Sequence, residues 1–151
     1  MKRILSALLT LAAAATLVFL PTMSRHSIPP AHAESGCTDS TLTGNYGFTF
    51  NGFQIQHGTS RSVPFVGGGV VTFDGAGNAS ASFAASSNGT VSTNNTYAAT
   101  YTVNSDCTAS MTATPGSGGD NFALVILGGG AEVLGVDTST GETLTIDFKK
   151  Q

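Results

Sequence analysis

The sequence predicts an all-β protein of about eight antiparallel strands in meander order, closed into an up-and-down barrel. Apolar residues alternate with polar ones at period two in one run after another, as in half-buried strands. Turn-forming stretches such as residues 74–78 (DGAGN) and 104–106 (NSD) separate the runs. Strands joined by such short connections are antiparallel neighbours, and closing the sheet removes its exposed edges. A two-sheet β-sandwich is the alternative, but it needs longer crossovers.

The first 33 residues predict a secretory signal peptide. Lys2 and Arg3 precede an apolar run at residues 4–20, and a polar stretch then ends in Ala-His-Ala at residues 31–33. A charged start, an apolar middle and small residues at the −3 and −1 positions are the three parts of such a peptide. We expect cleavage between Ala33 and Glu34, one barrel domain at residues 34–151, and a secreted or periplasmic protein with no membrane segment after cleavage.

Two cysteines in the mature chain, Cys37 and Cys107, predict one disulfide bond. Export places them in an oxidising compartment, and an even count favours pairing. In the chain-entropy model a disulfide that closes the loop from Cys37 to Cys107 stabilises the fold by roughly 4 kcal/mol. Redox and metal-binding cysteines have close spacing or neighbouring histidines, and this pair has neither. The bond is therefore expected to be structural, tying the N-terminus to a hairpin turn.

Eight runs carry the alternation, and they are, in order, YGFTF, VPFVGGGVVTF, ASASFAA, YAATYTV, TASMTA, FALVIL, AEVLGV and TLTIDF. Further turn signals lie at residues 115–120, 128–130 and 138–141. Small residues on the inner faces (Gly67, Gly69, Ala79, Ala81 and Ala99) predict space on one side of the interior. The triple glycine at residues 67–69 predicts a bend or bulge at a barrel corner. The bulky residues of the inner faces form the predicted inner set: Tyr46, Phe48, Phe50, Phe65, Val71, Phe73, Phe83, Tyr97, Tyr101, Phe122, Leu124, Ile126, Leu144, Ile146 and Phe148.

Few groups in the mature chain suit catalysis or metal binding. Its one histidine, His57, lies in a polar turn with no carboxylate near it in sequence, which disfavours a histidine-based zinc site or triad. The nucleophile-elbow, zincin and phosphate-loop motifs are all missing. Three basic residues against nine acidic ones give a net charge of −6, which disfavours nucleic acid. We expect no cofactor, no metal and no nucleic-acid partner, and catalytic residues stay unknown.

The tyrosines are the candidate ligand-binding residues. Tyr46, Tyr97 and Tyr101 share strand faces with apolar residues, and a lumen lined by Tyr and Phe suits a flat apolar ligand. A packed core is the simpler interpretation of the same pattern. Glu132 is a fourth candidate because it lies within a strand pattern, although an outward-facing carboxylate is favoured there. Asp147 also lies within a strand pattern, and the remaining aspartates are interpreted as turn or loop residues: Asp39, Asp74, Asp106, Asp120 and Asp137.

Two resemblances accompany these patterns. The stretch LTGNY at residues 42–46 resembles the first strand of avidin-type barrels, with Tyr46 where that family has Trp. The chain has no Trp, so biotin binding is not expected. The wider pattern of Cys37, LTGNYGF, VTFDGAGN, YTVNSDCT and FALVILGGGAEV resembles small exported uncharacterised bacterial β-barrel proteins, related to the allene-oxide-cyclase-like barrels of calycin-like shape. That resemblance implies an eight-stranded barrel and transfers no catalytic residue.

Two functions from different classes remain. The first, which we favour, is a non-enzymatic exported barrel that binds a small apolar molecule or has a structural, surface-associated role. The second, implied by the resemblance, is a cofactor-free cyclase or isomerase of the allene-oxide-cyclase-like type, which would hold its substrate in a shaped apolar pocket. An ionisable residue inside the lumen would favour the enzyme, whereas a lumen filled by Phe, Val and Leu would favour the non-enzyme.

Overall fold

The strands of the protein form one closed antiparallel barrel in chain order, in which the last strand pairs with the first. The computed structural model describes residues 36–56, 58–117 and 119–151. The predicted fold class is confirmed, because each strand pairs with its sequence neighbours in a single sheet. The predicted signal peptide and its expected cleavage site lie outside the described residues. The strands are β1 Thr43–Ile55, β2 Ser62–Asp74, β3 Asn78–Ser87, β4 Thr90–Val103, β5 Thr108–Ala113, β6 Phe122–Leu127, β7 Glu132–Asp137 and β8 Glu142–Lys150.

Meander order sends alternate connections to opposite ends of the barrel. What we call the open end carries the connecting residues 56, 58–61, 88–89, 114–117, 119–121 and 138–141. The other end, which we call the closed end, carries residues 36–42 and the connections at residues 75–77, 104–107 and 128–131. Among the described residues, no helix is long and apolar enough to span a membrane.

The interior contains the whole predicted inner set. Each member is buried or packed against the buried cluster, because alternation along every strand turns one face inward. Two residues outside the predicted set, Met111 and Val133, belong to the same interior. They are 2% and 0% exposed and lie on two of the shorter strands. Leu42, just before β1, is fully buried as well.

A plug of residues 37–42 covers the closed end. It contains a short 3₁₀ turn, Asp39–Thr41, and is bonded to the barrel. The backbone N–H of Val103 donates to Asp39 Oδ1 at 2.7 Å, and the hydroxyl of Tyr101 donates to the carbonyl oxygen of Leu42 at 3.0 Å. The predicted disulfide between Cys37 and Cys107 is confirmed, and it ties the start of the plug to the β4–β5 turn.

Aromatic rings pack the closed half of the barrel. The ring of Phe73 lies edge-on to the rings of Tyr46 and Tyr101, with centroid distances of 5.2 Å in both cases. The hydroxyl of Tyr46 donates to the carbonyl oxygen of Gly130 at 2.7 Å. Both tyrosines therefore satisfy their polar ends with backbone carbonyls while burying their rings, as buried tyrosines require.

The triple glycine of β2 does not form the predicted bulge. Residues 67–69 pair with β1 and β3 without any register shift. A side chain at Gly67 would collide with the ring of Phe50, and one at Gly69 would collide with the carbonyl oxygen of Ser82. The glycines thus allow close approach of neighbouring groups. The register shift lies instead between β3 and β4, near Asn94, whose φ is 60°.

Candidate functional site

An apolar cavity of about 210 Å³ lies in the open half of the barrel. It exists because the plug fills only the closed end and because Ala81 contributes a small side chain where a larger one would fill the space. Of the small residues predicted to leave space, Ala81 lines the cavity, whereas neighbouring groups fill the space beside Gly67 and Gly69. The apolar walls are Phe48, Phe50, Phe65, Val71, Ala81, Phe83, Met111, Phe122, Leu144, Ile146 and Phe148, and the polar ones include Gln54, Tyr97, Asp120 and Glu142.

Tyr97 joins the cavity wall to the β5–β6 connection. Its hydroxyl donates to the backbone carbonyl oxygen of Asp120 at 2.7 Å. Gly119 lies against the tyrosine ring so closely that a side chain there would overlap the ring. Burial, and then the negative charges of Asp120 and Asp137, raise the pKa of the Tyr97 hydroxyl. Tyr97 therefore stays protonated, and its hydrogen bond fixes the position of Asp120 in the cavity wall.

Three carboxylates gather at this mouth. Asp120 comes from the β5–β6 connection, Asp137 ends β7 and Glu142 begins β8. One oxygen of each lies within 4.8 Å of the other two, and all three residues are half-buried. Asp120 and Glu142 line the cavity directly. The ion pairs within the described part of the chain join Lys149 to Glu132 and Asp147, so no Lys or Arg described there pairs with the three carboxylates.

Burial and the crowding of like charges raise the pKa values of two of these carboxyls. Burial, followed by the charge and hydrogen bond of Asp120 and the charge of Asp137, raises the pKa of the Glu142 carboxyl to about 7. Burial also raises the pKa of Asp120. The Glu142 carboxyl therefore keeps its proton to a higher pH than an ordinary glutamate does.

Two oxygens of the cluster are buried without a hydrogen-bond partner among the described residues. They are Glu142 Oε2 and Asp137 Oδ2. The other oxygen of Asp137 accepts a hydrogen bond from the backbone N–H of Ser139. A buried acceptor without a donor is costly, so these oxygens favour a donor supplied from outside the chain.

The predicted ligand-binding residues occupy different parts of the barrel. Tyr97 lines the cavity. Tyr46 and Tyr101 lie in the closed half, where their hydroxyls bond to carbonyls of Gly130 and Leu42. Glu132 is the first residue of β7, near the closed end, and its carboxylate lies 3.5 Å from Lys149 Nζ. His57 lies outside the described residues.

The carboxylate cluster is a feature that sequence reasoning missed, although the sequence contains a signal for it. Taken one by one, Asp120 and Asp137 have the pattern of turn residues. In a meander barrel, however, the fifth and seventh connections lie at the same end, so acids beside both connections come together. The order of the connections along the chain therefore brings Asp120, Asp137 and Glu142 side by side.

Comparisons with known proteins add no family to this geometry. No protein-family model matches the chain, and no curated protein matches it either. The chemistry of the cavity and its mouth is therefore the basis on which a function can be assigned.

Proposed function

We propose that the protein is an exported barrel that binds one small, largely apolar molecule in the cavity at the open end. The observation that carries this proposal is the cavity of about 210 Å³ with walls of Phe, Leu, Ile and Met side chains. Ligand sites of this kind are concave and apolar with a few polar groups that fix orientation. Gln54, Tyr97, Asp120 and Glu142 are the polar groups here.

The asymmetry of the two barrel ends supports this proposal. The closed end has a plug held by the Cys37–Cys107 bond and by hydrogen bonds to Asp39 and Leu42. The open end carries connections between strands and, among the described residues, no such plug. A molecule can thus enter from one side without disturbing the packed half. The disulfide also accords with an oxidising compartment, which supports export.

Nuclear magnetic resonance of the Met111 methyl group tests the binding. Met111 lines the cavity, and the other two methionines lie at residues 1 and 23, so a Met111→Leu variant assigns its signal. We expect 2-phenylethanol, a small aromatic alcohol, to shift this signal in a saturable manner. An unchanged Met111 signal up to the solubility limit of the alcohol would contradict the proposal.

A cavity-filling variant provides the matched comparison. Ala81→Leu adds volume inside the cavity, and Ser82→Leu adds the same side chain on the outer face of the same strand. We expect the first variant to weaken binding of 2-phenylethanol by about tenfold or more, which corresponds to about 1.4 kcal/mol. Ser82→Leu should bind as the parent does. Equal binding by both variants would place the alcohol elsewhere.

The cyclase or isomerase hypothesis keeps one specific observation in its favour, which is Glu142 at the cavity wall. A carboxyl group with a pKa of about 7 next to an apolar cavity suits general acid–base catalysis. The elimination reaction of 5-nitrobenzisoxazole, which needs only a carboxylate base in an apolar pocket, tests for this. A rate that rises through pH 7 and is lost in Glu142→Gln would support the enzyme, and a rate equal to buffer would oppose it.

A further inference from the structure

The mouth of the cavity combines aromatic walls with uncompensated negative charge. Phe65, Phe83 and Tyr97 supply rings, and Asp120 and Glu142 supply carboxylates to the same space. Asp137 places a third carboxylate oxygen within 4.8 Å of the other two. Partly burying acidic groups without a basic partner is costly, and the fold keeps three of them together. A ligand that fits the whole surface must match both the apolar and the acidic part.

Resting on the proposed ligand binding, we propose that the ligand is a small organic amine in its ammonium form. Its charged group lies among Asp120, Asp137 and Glu142, and its apolar body fills the cavity behind them. The class of ligand follows from the juxtaposition of the cavity and its mouth, since neither part alone distinguishes an amine from other molecules.

The hydrogen-bonding capacity of an ammonium group matches the cluster. A primary ammonium has three N–H donors and no acceptor. Glu142 Oε2 and Asp137 Oδ2 are buried acceptors that lack donors among the described residues, and Asp120 provides a third carboxylate. Aromatic rings also attract cations through their faces, so the walls of the cavity favour the charge as well as the apolar body.

A divalent metal ion fits the same place less well. Calcium takes six to eight oxygen ligands, and magnesium requires a near-ideal octahedron. The cluster offers three carboxylates, and the cavity beside it is lined mainly by apolar side chains, with Gln54 and Tyr97 as its other polar groups. An ammonium ion, by contrast, needs no more than three acceptors and gains from an apolar neighbour.

Binding of a cation is coupled to the proton on Glu142. The groups that face this carboxyl are Asp120 and Asp137, with the Tyr97 hydroxyl beside them. Arg61, on the β1–β2 connection, is exposed and makes no ion pair within the described residues. An ammonium group favours the charged carboxylate, so binding releases the proton. Affinity for an amine therefore rises as the pH rises through about 7, up to the pH at which the amine itself loses its proton.

Three probes with one aromatic body test the class of ligand. They are 2-phenylethylamine, 2-phenylethanol and phenylacetate, titrated separately into the full chain at pH 7.5 and followed at the Met111 methyl signal. We expect the amine to bind about tenfold or more tightly than the alcohol, and the anion to bind weakest. We expect the amine's affinity to increase from pH 6 to pH 8, while the alcohol's affinity changes by less than about threefold.

Variants test whether the carboxylates at the mouth, rather than the rest of the cavity, bind the charged group of the amine. Glu142→Gln should weaken the amine by about tenfold and leave the alcohol within about threefold. Asp120→Asn is the second variant, expected to show the same selectivity, if Glu142→Gln does not fold. Glu132→Gln removes the same charge near the closed end, outside the cavity, and should leave the amine's affinity unchanged.

The outcomes distinguish this inference from the proposed function. Binding of the alcohol as tight as that of the amine would overturn the amine assignment and leave the ligand cavity standing. Absence of any shift with all three probes would overturn both. Calcium chloride alone shifting the Met111 signal at micromolar concentration, and competing with the amine, would overturn the amine assignment in favour of a metal ion.

Discussion

The hydroxyl of Tyr101 points at the carbonyl oxygen of Leu42, 3.0 Å away, and also lies 3.1 Å from the carbonyl oxygen of Asp39. Tyr101 is 3% exposed and Leu42 is fully buried. One side chain of β4 thus donates to the backbone of the plug and holds the plug against the barrel. The closed end is therefore a packed and bonded unit, in contrast to the open end.

Replacement of Tyr101 measures how much this packing contributes to the free energy of unfolding. Tyr101→Ala should lower the free energy of unfolding by about 3 kcal/mol or more, because it removes a buried ring and its hydrogen bonds. Urea unfolding gives the value. Thr102→Ala, the next residue on the outer face of β4, should change the free energy by less than about 0.5 kcal/mol. A urea midpoint for Tyr101→Ala equal to the parent's would mean that this face is not the interior.

The Cys37–Cys107 bond should be present in the purified protein and should stabilise it. Without reductant, alkylation should add no mass to the chain, and after reduction it should label both thiols. The double variant Cys37→Ser/Cys107→Ser should be less stable by about 4 kcal/mol, because the bond closes a long loop and orders the plug. Two thiols that react freely without reductant would contradict the assignment.

Stability should depend on pH through Glu142. Its folded pKa is about 7 and its ordinary value is 4.5, so between these values the folded protein binds more protons than the unfolded chain. This group's contribution to stability therefore falls as the pH rises from about 4.5 to about 7 and is level above it. The raised pKa of Asp120 acts in the same direction.

Urea midpoints at pH 5 and pH 7.5 check this dependence. The decrease between the two values should be smaller in Glu142→Gln than in the parent, whereas Glu132→Gln, which changes an acid near the closed end, should keep the parent's decrease. The acids with lowered pKa, Asp74 and Asp106, titrate below 3.8 and do not affect this window. The same decrease in Glu142→Gln as in the parent would remove Glu142 as its cause.

The sequence predicted the fold because the barrel depends on local patterns. Alternation placed Phe48, Phe73 and Phe148 on the inner face, and turn residues set the order of strands. It also predicted the disulfide from parity and compartment. It did not predict the plug, because the contacts of Asp39 with Val103 join residues that are far apart in sequence. The acidic mouth was missed because Asp120, Asp137 and Glu142 lie in or beside two different connections and meet only when β6, β7 and β8 pair.

The outcome at the triple glycine shows a further limit of local patterns. Glycines in a strand predict either a bulge or close approach, and sequence alone does not decide between them. The neighbours decide it here, because the ring of Phe50 and the carbonyl oxygen of Ser82 occupy the space beside Gly67 and Gly69. Replacement of either glycine by a larger residue would therefore displace a neighbouring strand.

A crystal of the protein pressurised with xenon shows whether the cavity in the open half of the barrel is empty and apolar. Xenon enters empty apolar cavities and needs no knowledge of the natural ligand. We predict an anomalous peak inside the barrel between Phe50, Phe83 and Met111, which is lost in Ala81→Leu and retained in Ser82→Leu. A barrel whose open half is filled by side chains, with no xenon among these residues, would rule out the cavity.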